Sequence, residues 1–290
     1  MSRIAYVNGR YLPHGHAMVH VEDRGFQFAD GVYEVCEVWS GEIVDMTRHL
    51  DRLRRSLAEL SMAWPVRRSA LEAIMREVVA RNRVTYGLVY VQVTRGTARR
   101  DYTFPEPPVK PTLVVTARSA SREAALKVSE EGIRVVTTPD IRWERVDIKT
   151  IGLLAQVLAK QTARRAGAKE AWMVDREGYV TEGASSNAWI VTANGTLVTR
   201  PADAGILRGI TRAAIMDFAA ANGLKVEERR FTVDEARSAR EAFVTAATAI
   251  VSPVVQIDDV VLGNGRPGSV ASELRARFHE GVELTPVRHY

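Results

Sequence analysis

Three places in the sequence carry side chains whose type and setting suit covalent or acid–base chemistry. Lys149 stands in Val146-Asp147-Ile148-Lys149-Thr150-Ile151. An amine between two isoleucines is expected to be partly desolvated, which disfavours the ammonium and lowers its pKa. A neutral amine is what imine formation with an aldehyde requires. The stretch Gly178-Tyr179-Val180-Thr181-Glu182-Gly183-Ala184-Ser185-Ser186-Asn187 sets the Glu182 carboxylate between strand signals, beside glycine and small residues. Such a border permits close approach by a ligand. There Glu182 can pair with a protonated ring nitrogen and keep that ring an electron sink. In Gly205-Ile206-Leu207-Arg208-Gly209-Ile210-Thr211-Arg212, a glycine precedes the helical stripe Ile210, Ala214, Phe218, Ala221. Backbone N–H groups and the positive dipole end at such a start face a phosphate, and Thr211 adds a hydroxyl donor. Each feature alone has a plain alternative: a strand-edge lysine in water, a solvated glutamate on a surface hairpin, a helix start that binds nothing.

The elements that must position these residues follow from periodicity. Residues 32–46 read as a hairpin, with Val32, Glu34, Cys36 and Val38 alternating against Tyr33, Val35, Glu37 and Trp39, and Ser40-Gly41 turning into Ile43-Val44. Thr47 is expected to cap a helix whose Leu50, Leu53, Leu57 and Leu60 form one buried stripe. A second helix near 68–83 and strands over 88–94 and 113–116, the last after Pro105-Glu106-Pro107-Pro108, give the first half an α+β pattern. Residues 117–124 lose apolar periodicity. The expected division is therefore a smaller domain over 1–117, a linker over 118–124 and a larger domain over 125–290. The second half opens with a strand at 133–137, followed by Lys149 and a helix with Leu154, Val157, Leu158 and Gln161 near one face. Strands recur at 171–175, 188–191 and 243–245; a helix over 211–221 is stopped by Gly223, and a last helix spans 269–280.

At 290 residues the chain is comfortable for two domains and needs neither disulfide nor metal to hold together. With 46% hydrophobic and 26% charged residues its composition is that expected of an ordinary soluble globular protein. The formal charge of +5 comes mostly from arginines in scattered pairs among acids, without a basic run interleaved with aromatics, so nucleic acid is not an expected partner. The excess favours anionic small molecules. No apolar stretch approaches the ~20 residues of a membrane span, and the start lacks the apolar core of a secretory signal. The single cysteine, Cys36, suits a reducing cytoplasm.

Taken together the motifs are specific. Lys149, Tyr179 to Glu182 with Ser186-Asn187, Gly209-Ile210-Thr211, and Thr245-Ala246-Ala247-Thr248 with Ser252-Pro253 occur in that order. They resemble the fold-type IV family of pyridoxal-phosphate enzymes, which includes D-amino-acid and branched-chain aminotransferases and aminodeoxychorismate lyase. Asp23-Arg24-Gly25-Phe26-Gln27-Phe28-Ala29-Asp30-Gly31-Val32-Tyr33-Glu34 is similar to the family's N-terminal signature, and His49-Leu50-Asp51-Arg52-Leu53 to its phosphate-binding arginine motif. The resemblance spans nearly the whole chain and implies a two-domain α+β / α/β fold with pyridoxal 5′-phosphate as cofactor. It implies that Lys149 forms the Schiff base and moves the proton, and that Glu182 contacts the pyridine nitrogen. Arg52, Ile210, Thr211 and Thr248 would surround the phosphate, Tyr179 would reach the ring hydroxyl, and Leu207 would pack on the ring. Ala247 departs from the pattern, standing where the D-amino-acid branch is expected to carry a hydroxyl.

For the substrate, Thr94-Arg95-Gly96-Thr97-Ala98-Arg99-Arg100-Asp101-Tyr102-Thr103-Phe104-Pro105 resembles the loop with which D-amino-acid aminotransferases hold the substrate carboxylate. Arg100 falls on the binding arginine, and a guanidinium fork suits a carboxylate. Tyr33 matches another member of that trap, while Tyr102 stands where a histidine is expected and brings no positive charge. In those enzymes the loop completes the neighbouring subunit's site, which implies a homodimer. The resemblance thus implies transamination of D-amino acids such as D-alanine, with 2-oxoglutarate or pyruvate as acceptor. Two alternatives stay open: a branched-chain L-aminotransferase or the lyase on the same fold, and a non-catalytic vitamin-binding or structural relative. Against the lyase, Arg100 has no job there; against the branched-chain reading, Tyr90-Val91-Gln92-Val93-Thr94-Arg95-Gly96 lacks an Arg-Pro pair.

Overall fold

The computed structural model describes residues 3–203 and 205–287; Met1, Ser2, Ala204 and residues 288–290, which the expected domain bounds include, lie outside the described residues. The chain divides into two units. The first gathers the chain up to Ser121, then Ile148–Gly152 and the chain from Glu283; the second holds Arg122–Asp147 and Leu153–Val282. A single cut near residue 120 was expected, whereas the chain returns twice to its first unit.

In the first unit the elements are β1 (Ile4–Val7), β2 (Arg10–Pro13), α1 (Arg24–Phe28), β3 (Gly31–Trp39), β4 (Glu42–Val44), α2 (Met46–Glu59), α3 (Arg68–Arg81), β5 (Gly87–Thr94) and β6 (Thr112–Ser119). With the last strand, Leu284–Pro286, they form a seven-stranded sheet in the order last–β4–β3–β5–β6–β1–β2, antiparallel throughout. Alternation on β3 buries Val32, Cys36 and Val38, and the α2 stripe buries Leu50, Leu53 and Leu57 against them, with Leu60 partly buried at its end. Burying each such leucine contributes roughly 1.5–3 kcal/mol. Thr47 is not the cap: Asp45, in a left-handed conformation, holds that position without a side-chain bond to the helix start. The nitrogen and hydroxyl of Thr47 instead donate to Glu283 at 3.2 and 2.9 Å, so a glutamate remote in sequence satisfies the helix start.

The second unit contains α4 (Arg122–Glu131), β7 (Ile133–Pro139), α5 (Leu154–Arg165), β8 (Glu170–Val174), β9 (Val180–Gly183), β10 (Asn187–Val191), β11 (Leu197–Thr199), α6 (Ile210–Ala221), β12 (Val226–Glu228), α7 (Val233–Arg237), β13 (Glu241–Ala246), β14 (Ile250–Ile257), β15 (Val260–Val261) and α8 (Ser269–Arg277). Its nine-stranded sheet runs β12–β11–β10–β13–β14–β7–β8–β9, with β15 on β14; the β7–β8, β7–β14 and β11–β12 pairs are parallel. The β7-to-β8 crossover runs through α5, as parallel neighbours require. All five residues of β10 are buried, so it lacks the alternation of a one-sided strand.

Two expectations are corrected. The linker over 118–124 shrinks to Ala120 and Ser121, because Arg118 and Ser119 continue the pairing of β6 with Leu88 and Gly87, and α4 starts at Arg122. On α5 the packed face is Ala159 and Ala163; Leu154, Val157 and Leu158 are exposed, Leu154 to 72%. Small residues bring this helix close to β8, and the larger apolar side chains point away. No described helix is long and apolar enough to cross a membrane.

Candidate active site

The first unit positions Lys149 through the backbone. Segment 148–152 lies against the start of β3: Tyr33 N donates to Lys149 O at 3.0 Å, Ile151 N donates to Gly31 O at 3.1 Å, and Thr150 pairs with Val32. Gly31 permits this approach, since a Cβ there would sit 2.7 Å from Val93 O and 3.0 Å from Ile151 Cδ1. Ile148 anchors the segment in the first core. Lys149 itself is half-buried, and its amine lies 4.3 Å from the centroid of the Tyr33 ring, which stacks on Tyr90. Among the described residues that amine makes no ion pair. The picture of a strand-edge lysine in open water does not hold.

Beside it lies a buried triad of Glu34, His49 and Arg52. Glu34 Oε1 and Oε2 accept from Arg52 Nε and Nη2 at 2.7 and 2.8 Å, and Oε2 also accepts from His49 Nδ1 at 2.7 Å. Burial alone would raise the Glu34 carboxyl, but Arg52 and His49 outweigh it and bring its pKa down to about 2. Burial pushes the His49 imidazole below its ordinary value despite the hydrogen bond to Glu34 pulling the other way. Against an ionised carboxylate the neutral ring must carry its proton on Nδ1. Arg52 is therefore a fixed guanidinium rather than a member of a solvated helix face. Glu34 was legible as an oddity, an acid on the buried side of β3, which needs a cation.

Arg100 and Tyr102 sit on the exposed 97–105 loop. The Arg100 guanidinium stands 4.6 Å from the Phe28 ring centroid, and the Tyr102 ring, 86% exposed by residue, lies 5.6 Å from it. The structure thus groups Tyr33 with Lys149 and Tyr90, and Arg100 and Tyr102 with Phe28.

In the second unit Glu182 is buried on β9. Its oxygens accept from Asn187 Nδ2 at 2.9 Å, from the Leu207 N–H at 3.2 Å to each, and from Arg142 Nη1. Arg142 is held in turn by Asp140, through Nε at 2.9 Å and Nη2 at 2.7 Å, and the Thr181 hydroxyl donates to Asp140 at 2.7 Å. Burial works against the charge on Arg142, but Asp140 and Glu182 outweigh it and raise its pKa; burial likewise opposes the Asp140 charge, and Arg142 outweighs it. A carboxylate so paired is no solvated hairpin glutamate. Asn187 also donates to Leu207 O at 2.9 Å, tying β10 to the turn before α6. Gly209 ends that turn with no room for a side chain: a Cβ would meet Asn187 Oδ1 at 2.0 Å. The helix that follows begins at Ile210 with no side-chain cap, and Thr211 is buried in its first turn. Tyr179 is half-buried, pairs with Thr232 and has the Arg230 guanidinium 5.6 Å from its ring centroid. Thr248 is exposed in the turn before β14 and lines a cavity of about 250 Å³ with Ser185, Ser186 and Ser252. Arg142 and Asp140 carried no signal in the sequence, since nothing local marks which arginine will meet a glutamate 40 positions away.

Within the second unit, a buried carboxylate held by cation and amide and a glycine turn leading into an uncapped helix start suit a phosphorylated pyridine; within the first, a half-buried amine without an ion pair among the described residues suits an aldehyde. Residues 31–257 match the amino-transferase class IV family. The chain is 38% identical over 278 residues to a D-alanine aminotransferase of Listeria innocua, covering 95% of each chain, and 37% identical to one of Staphylococcus haemolyticus, covering 96% and 97%. Among solved structures, a T.th. branched-chain amino acid aminotransferase complexed with N-(5′-phosphopyridoxyl)-L-glutamate matches with a TM-score of 0.90 at 28% identity, over 99% of each chain. The chain belongs to the class IV amino-transferase family and is a pyridoxal-phosphate-dependent aminotransferase.

Proposed function

We propose that this enzyme moves amino groups between D-amino acids, such as D-alanine, and 2-oxo acids, with 2-oxoglutarate or pyruvate as acceptor, through a Schiff base on Lys149. The observation that carries the reading is the Lys149 amine, fixed by backbone hydrogen bonds to β3, set over the Tyr33 ring and without an ion pair among the described residues. When bound, pyridoxal phosphate supplies an aldehyde and an electron-accepting ring. Lys149 Nζ would hold that aldehyde, and as a free amine it would be the group that takes a proton from the substrate α-carbon and passes it on. Glu182 would face the ring nitrogen, with Arg142 and Asn187 keeping the carboxylate in place. The N–H groups at the start of α6, from Ile210 and Thr211, the hydroxyls of Thr211 and Thr248, and the Arg52 guanidinium would hold the phosphate. Leu207 would pack on the ring, and Tyr179 would reach its hydroxyl. Ala247 offers no hydroxyl to that set.

On the substrate side Arg100 forks onto the α-carboxylate, Tyr33 supports it, and Tyr102 contributes a neutral donor. The preference for D-amino acids is supported by the D-alanine aminotransferases at 35–38% identity. We extend to this chain a homodimer in which loop 97–105 completes the neighbouring site, and residence in a reducing cytoplasm, which the buried thiol of Cys36 suits. One observation favours a second reading, branched-chain L-amino acids: the T.th. enzymes named for branched-chain amino acids share this fold at 27–28% identity.

A panel of paired D- and L-amino donors with 2-oxoglutarate separates the two, with D-alanine turning over and L-leucine and L-valine not. Exclusive use of the L-donors would replace the first reading with the second. Lys149→Ala is expected to abolish turnover, and borohydride is expected to leave a reduced pyridoxyl adduct on Lys149 of the wild type. An adduct on another lysine would refute the assignment.

A further inference from the structure

The segment that precedes β3 has no part in the chemistry above, yet backbone and side chains alike bond it to the arginine loop. Arg24 N donates to Gly96 O at 2.9 Å, Ala98 N donates to Glu22 O at 3.3 Å, and Asp23 pairs with Thr97. The Thr94 hydroxyl donates to Asp23 Oδ2 at 2.9 Å. Gly25 lets the turn lie directly on β5, since a Cβ there would meet Thr94 Cγ2 at 2.2 Å. Arg24 is buried; its Nε donates to Asp30 at 2.8 Å, and its Nη1 reaches the loop itself, donating to Asp101 O at 2.7 Å. Phe28 then receives the loop's side chains. Arg24 lies 4.8 Å and Arg100 4.6 Å from its ring centroid, and the Tyr102 ring lies tilted against it at 5.6 Å. Asp30 also takes Arg95 at 2.7 Å, and the Arg95 guanidinium lies 3.6 Å from the Phe104 ring centroid.

We propose that Arg24 and Phe28 are positioning residues for the substrate carboxylate: they template the arginine loop, fixing the Asp101 carbonyl and the Arg100 guanidinium before any substrate arrives. This rests on the reading of Arg100 as the carboxylate anchor. Its physical basis is that a long arginine on an exposed loop gives up rotamer freedom on binding. A ring platform that orders the guanidinium in advance removes part of that cost, so the gain appears in substrate affinity. The template acts through Arg100 and touches neither the cofactor nor the reacting bond, so it leaves kcat alone.

The test compares Phe28→Leu, Arg24→Met, Arg100→Leu and the Phe28→Leu/Arg100→Leu double variant as loaded enzymes, using the best amino donor of the D/L panel. Tryptic nicking after Arg99 and Arg100, read by mass spectrometry, follows the order of the loop without substrate. Phe28→Leu is expected to raise KM about two- to five-fold, the range a cation–π contact at an exposed site gives, with kcat unchanged. It adds nothing on top of Arg100→Leu. Nicking accelerates in both Phe28→Leu and Arg24→Met, and Phe28→Tyr restores wild-type behaviour. Should Arg24→Met fail to fold, Phe28→Leu carries the decision alone. A Phe28→Leu enzyme with unaltered KM and nicking, beside an Arg100→Leu enzyme with raised KM, overturns the template and leaves the anchor standing. If Arg100→Leu itself leaves KM unchanged, the anchor reading fails, and the positioning role fails with it even where nicking has risen.

Discussion

The ion pair between Glu34 and Arg52 offers the sharpest test of how the first unit is held. Glu34→Gln keeps the shape of the side chain and removes the charge that faces two Arg52 nitrogens at 2.7 and 2.8 Å in a fully buried setting. Breaking one side of a buried pair costs about 3–5 kcal/mol, because the remaining guanidinium keeps its burial and loses the carboxylate that two of its nitrogens face. At about 2–4 °C per kcal/mol for chains approaching this size, the melting temperature of the apoenzyme should fall by about 6–20 °C. Arg52→Met should cost a similar amount by stranding the carboxylate. The double variant removes both charges and should recover to within about 1–2 kcal/mol of the wild type, because no unpaired charge is then left buried. Urea unfolding of the four apoenzymes provides the free energies, with circular dichroism as the probe. Additive losses, with the double variant the least stable, would refute the reasoning and make the two residues independent packing elements. Because the same guanidinium is proposed for the cofactor phosphate, Glu34→Gln should also weaken pyridoxal-phosphate binding, while the double variant should not regain it.

Two further outcomes follow from the same geometry. Both Glu34, held at about 2 against an ordinary 4.5, and His49, held below 6.5, bind fewer protons folded than unfolded. Their contribution is therefore complete above about pH 6.5 and is lost as pH falls, first through His49 and then, below 4.5, through Glu34. The urea midpoint should begin to drop between about pH 6.5 and 5; a level profile from about pH 7 to 4 would contradict this. Gly209→Ala places a Cβ 2.0 Å from Asn187 Oδ1 and must displace the amide that donates to Glu182. A loss of roughly 1–3 kcal/mol in stability and a clear rise in the cofactor dissociation constant are expected, from thermal melts and absorbance titration of the apoenzyme. An alanine variant matching the wild type in both would mean that Asn187 does not support Glu182.

Where periodicity is local, the fold was legible. The hairpin around Ser40-Gly41 and the leucine stripe of α2 needed only the strand and helix repeats. Other strands lack such a signature. β14 carries Pro253, which reads as a strand breaker, yet in the sheet it sits opposite Phe243. β9 is four residues long and holds a glutamate whose burial depends on Arg142 and Asn187. α5 shows the opposite failure, since its apolar residues are the exposed ones. Within the candidate site, Lys149, Glu182 and the Gly209 turn stood out by residue type and neighbours. His49, Asp140 and Arg142 did not, because the bonds that give them their place join segments remote in sequence: 15 positions apart for His49 and Glu34, 40 for Arg142 and Glu182, and 41 for Asp140 and Thr181.

By itself, then, the order of residues determined the chemical vocabulary: an amine, a carboxylate, a glycine-led helix start and an arginine loop, with the short-range elements that carry them. Tertiary structure alone decided which charges survive burial, and that the stretch bearing Lys149 belongs with β3 rather than with the strands on either side of it in sequence. The reason is physical. A repeat of two or 3.6 residues is written in neighbours, whereas the cost of desolvating an ion and the partner that offsets it depend on whatever distant segment the fold brings within about 3 Å.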